Sequence, residues 1–150
     1  MAKSNSIAIF SIDHVHPMLV HFPIALIYAG FLCELVYLFF RKEPLLLEAG
    51  FWLFCAGAIT VAAAYASGAL LTKELYGASG AIQSTHELFA EITTISALVG
   101  AVFKIYLKTE KKEGGNLKWI TFAIYLFTVV TVSITGYYGG ILVYDYLIVN

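Results

Sequence analysis

The sequence predicts an all-α fold, an integral membrane antiparallel four-helix bundle, and three observations carry that expectation. Sixty per cent of the 150 residues are hydrophobic and only 13% are charged, about half the charged share of a soluble domain. Four apolar runs, at about 18–40, 49–71, 86–107 and 118–140, each have the roughly 20-residue length that crosses a hydrocarbon core. Backbone groups in lipid must bond within their own segment or within a closed barrel, and runs of this length exceed barrel strands, so each run is expected to be a helix.

Polar and helix-breaking residues separate the runs. The first gap holds Arg41, Lys42, Glu43 and Pro44, the second Lys73, Glu74, Gly77 and Gly80, and the third the segment KTEKKEGGNLK. With short gaps, no linker and no obvious repeat, residues 1–150 are read as a single four-helix transmembrane domain. The leading MAKSNSIAIFSIDHVHPM lacks a small-residue cleavage pattern, so the first helix is expected to direct insertion itself. After Gly139 and Gly140 the apolar ILVYDYLIV overextends the last span, and a break or an interfacial tail is expected there.

A net charge of -1 leaves no basic excess for a nucleic acid or an anionic membrane surface, so the lipid bilayer is the partner that composition supports. Cys33 and Cys55 both fall inside apolar runs and read as small apolar side chains, not as a disulfide or a metal knuckle. Seven of the nine basic residues (Arg41, Lys42, Lys104, Lys108, Lys111, Lys112 and Lys118) lie around the first and third gaps, against Lys3 and Lys73 on the other side. The positive-inside rule then places both termini and the middle gap on the periplasmic or exterior side.

All four histidines fall on that exterior side: His14 and His16 before the first run, His21 about one turn inside it, and His86 opening the third. Ser67 and Gly68 end the second run at the same level, and Thr135, Gly136, Gly139 and Gly140 bring the fourth run to it. An ionisable side chain inside a span needs a partner, either a facing polar group or a cofactor. His16 and His21 differ by about 140° around one helix, so only one of them faces a common centre. The other is expected in a supporting role.

Gly68 and Gly136 are expected at close helix contacts, where added bulk costs more than at Ala58, and the small residues of AGAITVAAAYASGA also leave room for a flat macrocycle. Glu87 and Glu91 follow His86, but without an ExxH pairing they make a poor metal site, and Glu87 lies close enough to the interface to be solvated. Glu34 reads as interfacial or interhelically hydrogen-bonded. Tyr65, Tyr137, Tyr138 and Tyr144 fit an aromatic belt.

HPMLVHFPIAL at 16–26, the SG of the second run, the histidine opening the third and TGYYGGILVYDY at 135–146 together resemble the bacterial membrane family known as domain of unknown function 2231. The similarity spans nearly the whole chain, with Leu147 after Tyr146 where that family's pattern often has a further glycine. The resemblance implies a four-helix membrane domain, found also in chains fused to cytochrome c-like or Rieske-type domains, and hence an electron-transfer setting. Its matching residues here are His16, His21, His86, Gly68, Gly136, Gly139 and Gly140.

Two functions follow as expectations. The first is a b-type haem held between helices near the exterior face, its iron ligated by His21 and His86, with propionates reaching Lys73, Thr72, Thr85 or His16 and with Gly68 and Gly136 making room. The second is a non-catalytic anchor subunit of a larger membrane redox complex, its histidines bonded to neighbouring helices or to a partner. Cytochrome c, Rieske or other redox-complex subunits are the partners that the resemblance implies. The location expected is the bacterial cytoplasmic membrane. No nucleophile, base and orienting group recur at a recognisable spacing, so a carrier or subunit is favoured over a stand-alone enzyme.

Overall fold

The computed structural model describes residues 15–40, 42–72, 74–111 and 116–144. His14, Lys73 and Leu147 lie outside the described residues. Five helices follow one another: α1 Val15–Leu19, α2 His21–Phe39, α3 Pro44–Leu71, α4 Gly77–Thr109 and α5 Leu117–Ile141. All but α1 are long and apolar enough to cross a membrane.

The helix ends have local causes. Pro23 has no N–H to return to the Leu19 carbonyl, so the ladder is interrupted and the chain divides into α1 and α2 at Val20. The first span, expected to run unbroken from 18, therefore starts at His21 with a separate short helix ahead of it. Pro44 opens α3 where a missing donor costs nothing. Gly77, at φ +69°, makes the left-handed turn into α4 that other residues resist. From there α4 runs nine residues ahead of the expected start at His86, because GASGAIQST is polar enough to escape a hydropathy window yet still helical. Gln83 ties this extension down by accepting the Leu75 N–H at 2.7 Å. At the other end α5 passes straight through Gly139 and Gly140 and widens into a π-type turn over 142–144, so no break occurs at the glycine pair.

The four long helices form a ring in which α2 packs on α3, α3 on α4, α4 on α5 and α5 back on α2, while α1 lies against α3 and α2. Their buried stripes are narrow. On α2 the stripe is Pro23, Ile27, Gly30 and Glu34, and on α3 it is Gly50, Phe54, Gly57, Ala58, Val61, Ala64 and Ser67, both at helical spacing. Large apolar side chains point outward instead, as with Ile59 (71% exposed), Leu70 (81%) and Val102 (65%). Such an apolar outer surface suits lipid and no aqueous surface.

Small residues let the backbones approach, and hydroxyls bond back to carbonyls or across the seam. Between α4 and α5, Thr128 Oγ1 meets Ser96 Oγ at 3.0 Å and Thr93 Oγ1 meets Thr135 Oγ1 at 3.2 Å. The expectation about bulk changes for two of its three positions. Ala58 is only 1% exposed, within the central core, so a larger side chain there overpacks it. Gly136 is less demanding: a Cβ there would meet only Ile24 Cδ1, at an ordinary 3.6 Å.

Candidate functional site

Two imidazoles meet at the end of the bundle where α3 finishes and α4 is in its early turns. His16, on α1, and His86, on α4, lie with ring centroids 6.4 Å apart and planes at 83°. Each is anchored through Nδ1. Ser67 Oγ on α3 gives its one proton to the Ala64 carbonyl at 2.7 Å, so toward His16 it accepts, and His16 Nδ1 donates to it at 2.8 Å. His86 Nδ1 donates to the Thr135 carbonyl of α5 at 3.0 Å, since a carbonyl oxygen can only accept. In its neutral form each ring therefore carries its proton on Nδ1 and leaves Nε2 as a lone pair.

Burial first, and then the neighbouring His86, holds the His16 pKa below the ordinary histidine value, against a backbone hydrogen bond to Ala64 that raises it. The neutral, ligating form of this ring is thus favoured near neutral pH.

Two glycines seat the rings. A Cβ at Gly68 would stand 3.0 Å from His16 Cε1, and one at Gly139 would stand 3.1 Å from His86 Cε1. These are tight approaches to the flat face or edge of an imidazole, which explains why glycine occupies both positions. The faces of Gly68 and Gly139 are consequently filled by the rings themselves.

The structure brings His16 and His86 together with Ser67, Gly68, Thr135 and Gly139, and does not place His21 among them. His21 opens α2 on its exposed side, two residues and about 200° from Pro23, the first of the buried stripe. Gly136 faces Ile24 and touches neither imidazole at its Cβ position. Glu87 is exposed and accepts from Gln83 Nε2 at 2.9 Å, and Glu91 is exposed as well. Among the described residues no three His, Cys, Asp or Glu side chains converge as a metal site. Tyr138 stacks on Phe89 beside the histidine level, with ring centroids 6.4 Å apart.

The opposite end carries a second polar group that sequence reasoning left unassembled. Glu34 on α2 forms an ion pair with Lys104 on α4, both side chains about nine-tenths buried. Tyr125 Oη donates to the Ile27 carbonyl at 3.0 Å, and the Lys104 ammonium lies 5.0 Å from the Tyr125 ring. A signal was present: Glu34 and Lys104 each lie five residues before the end of their helix, on two helices that run the same way.

Fold and site together define a multi-pass helical membrane protein with a pair of facing histidines at one end and paired charges at the other. The chain belongs to the family described as Predicted membrane protein (DUF2231), whose model matches residues 13–150. Comparison with curated proteins and with solved structures gives no match.

Proposed function

We propose that this protein is an electron-transfer component of a bacterial cytoplasmic membrane, in which His16 and His86 ligate the iron of a b-type haem. The observation that carries this reading is the convergence of two imidazoles from separate helices, each with Nδ1 anchored and Nε2 left as a lone pair. Imidazoles that bind metal commonly donate their other ring N–H to a carbonyl or similar acceptor, which sets tautomer and orientation. With ring centroids 6.4 Å apart, His16 and His86 are close enough that both would hold one metal ion. When bound, the haem supplies one-electron redox chemistry. Ser67 and the Thr135 carbonyl hold the two rings in register. Cytochrome c, Rieske or other redox-complex subunits are the proposed exchange partners.

The position of the histidines in the sequence suggests His21 and His86 as ligands, and the geometry favours His16 in place of His21. Protein produced with ample haem supply is expected to be coloured, with redox-sensitive bands of a six-coordinate b-type centre. His16→Ala and His86→Ala each remove those bands and His21→Ala leaves them. Ser67→Ala weakens haem retention about tenfold through the freed Nδ1. A well-folded, colourless protein from the same cells overturns the haem reading.

One observation favours the anchor-subunit reading in that event. The His16–Ser67 and His86–Thr135 bonds each join two helices, so with no cofactor the same pair clamps α1 to α3 and α4 to α5.

The histidine end is proposed to face the periplasm, on the basic asymmetry of the sequence. Cysteine placed at the exposed Glu74 is then labelled by an impermeant thiol reagent in intact cells, and cysteine at the exposed Lys111 only after lysis. The reverse pattern inverts the topology.

A further inference from the structure

A cavity of about 290 Å³ opens among α2, α3, α4 and α5 at the end opposite the histidines. Three ammonium groups line it, those of Lys104, Lys108 and Lys118, with the carboxylates of Glu34 and Glu48. Lys104, Lys108 and Lys118 are three of the seven basic residues that the sequence places toward this end, and the fold brings them around one cavity. Lys104 is committed to Glu34 in the interior. Lys108 bonds the half-exposed Glu48, whose other oxygen accepts from Trp52 Nε1 at 3.1 Å. Among the described residues Lys118 meets no carboxylate and stands 5.6 Å from the Trp119 ring. Among the described residues the lining therefore holds three lysines against two carboxylates, and its second, outer lysine is bonded to a carboxylate that has an alternative donor.

Apart from Thr121 the remaining walls are apolar or aromatic, among them Tyr37, Leu38, Phe51, Trp119 and Phe122. The Lys108 ammonium is held 4.4 Å from the Phe51 ring. Cations propped on aromatic faces at a helix-bundle end, above an apolar wall, complement an anion that carries an apolar tail. Basic pockets between membrane helices bind lipid headgroups by this combination.

We propose that the cavity binds the phosphate headgroup of an anionic phospholipid, with Lys118 and Lys108 as its partners and the aromatic wall beneath its glycerol and first methylenes. Glu48 is displaced from Lys108 on binding and keeps its hydrogen bond from Trp52.

The two tryptophans of the chain, Trp52 and Trp119, both belong to this region, so intrinsic fluorescence reports on it directly. In uncharged detergent, short-chain phosphatidylglycerol is expected to shift the emission and to bind about tenfold more tightly than phosphatidylcholine of the same chain length. Lys118→Gln, at an exposed position that leaves the fold intact, removes that preference, and Lys118→Arg keeps it. Lys111→Gln, also exposed at this end but outside the cavity, changes affinity less than about twofold. Equal binding of the two lipids overturns the proposal in favour of a merely apolar cleft. Equal losses from Lys118→Gln and Lys111→Gln overturn it in favour of diffuse attraction. Inorganic phosphate that saturates the same signal at comparable concentration overturns the lipid assignment in favour of a free-anion site.

Discussion

Glu34→Gln is expected to remove most of the folded protein recovered in detergent. Its carboxylate and the Lys104 ammonium are about nine-tenths buried and bonded to each other across α2 and α4. Removing one partner of such a pair strands the other charge without solvent, which costs about 3–5 kcal/mol. That is a large part of the 5–15 kcal/mol or so that stabilises a typical domain. Lys104→Met is expected to be equally damaging.

The double variant E34Q/K104M is the informative control. With neither charge present, nothing is stranded, and its melting temperature should lie well above that of either single variant. Thermal melts followed by size-exclusion chromatography in detergent measure all three. If Glu34→Gln melts within a few degrees of the parent, the pair does not carry the interior of this end. If the double variant is the least stable of the three, the pair acts as two independent contacts.

Gly30→Val should come close to the same loss by a steric route. A Cβ at Gly30 would overlap the Tyr125 hydroxyl and lie 3.0 Å from Leu53 Cβ and 3.2 Å from the Gly50 carbonyl oxygen. Tyr125 is fully buried and bonded to the Ile27 carbonyl, so it has nowhere to retreat. Overpacking of about 1–3 kcal/mol combines with about 1 kcal/mol for the broken hydrogen bond. Gly140→Val serves as the control, because a Cβ there meets nothing within 4 Å, and its effect should stay near 0.5 kcal/mol. Circular dichroism melts of the two variants separate the cases. Similar melting temperatures would show that α2 and α3 can part at Gly30 without loss.

Glycines in this chain look alike in the sequence and differ sharply in the fold. Gly50 admits Glu34, whose Cγ would lie 2.6 Å from a Cβ placed there, while Gly100 admits the ring of Phe54 at 2.8 Å. Gly136 lies near the histidine level in the sequence, yet it faces only Ile24. Level along the membrane is legible from position in the chain, but rotation about the helix axis is not, and contact depends on both. Gly139, one turn further along α5, has the rotation that meets His86.

The four crossings, their separators and the gathering of most basic residues at one end were determined by the sequence alone. Apolar length and charge position are properties of single segments, and the bilayer reads each segment by itself. The family was legible too, through the HPMLVHFP opening and the glycines of the last helix. What only the tertiary structure decided is which polar groups meet. His16 reaches His86 because the chain divides at Val20 and lays α1 against α3, whereas His21, held in α2, turns outward with that helix. Glu34 finds Lys104, 70 positions away, because the bundle turns these faces of α2 and α4 toward each other. Both meetings depend on helix rotation and on packing between distant segments, and those are settled by how the buried stripes of different helices fit together.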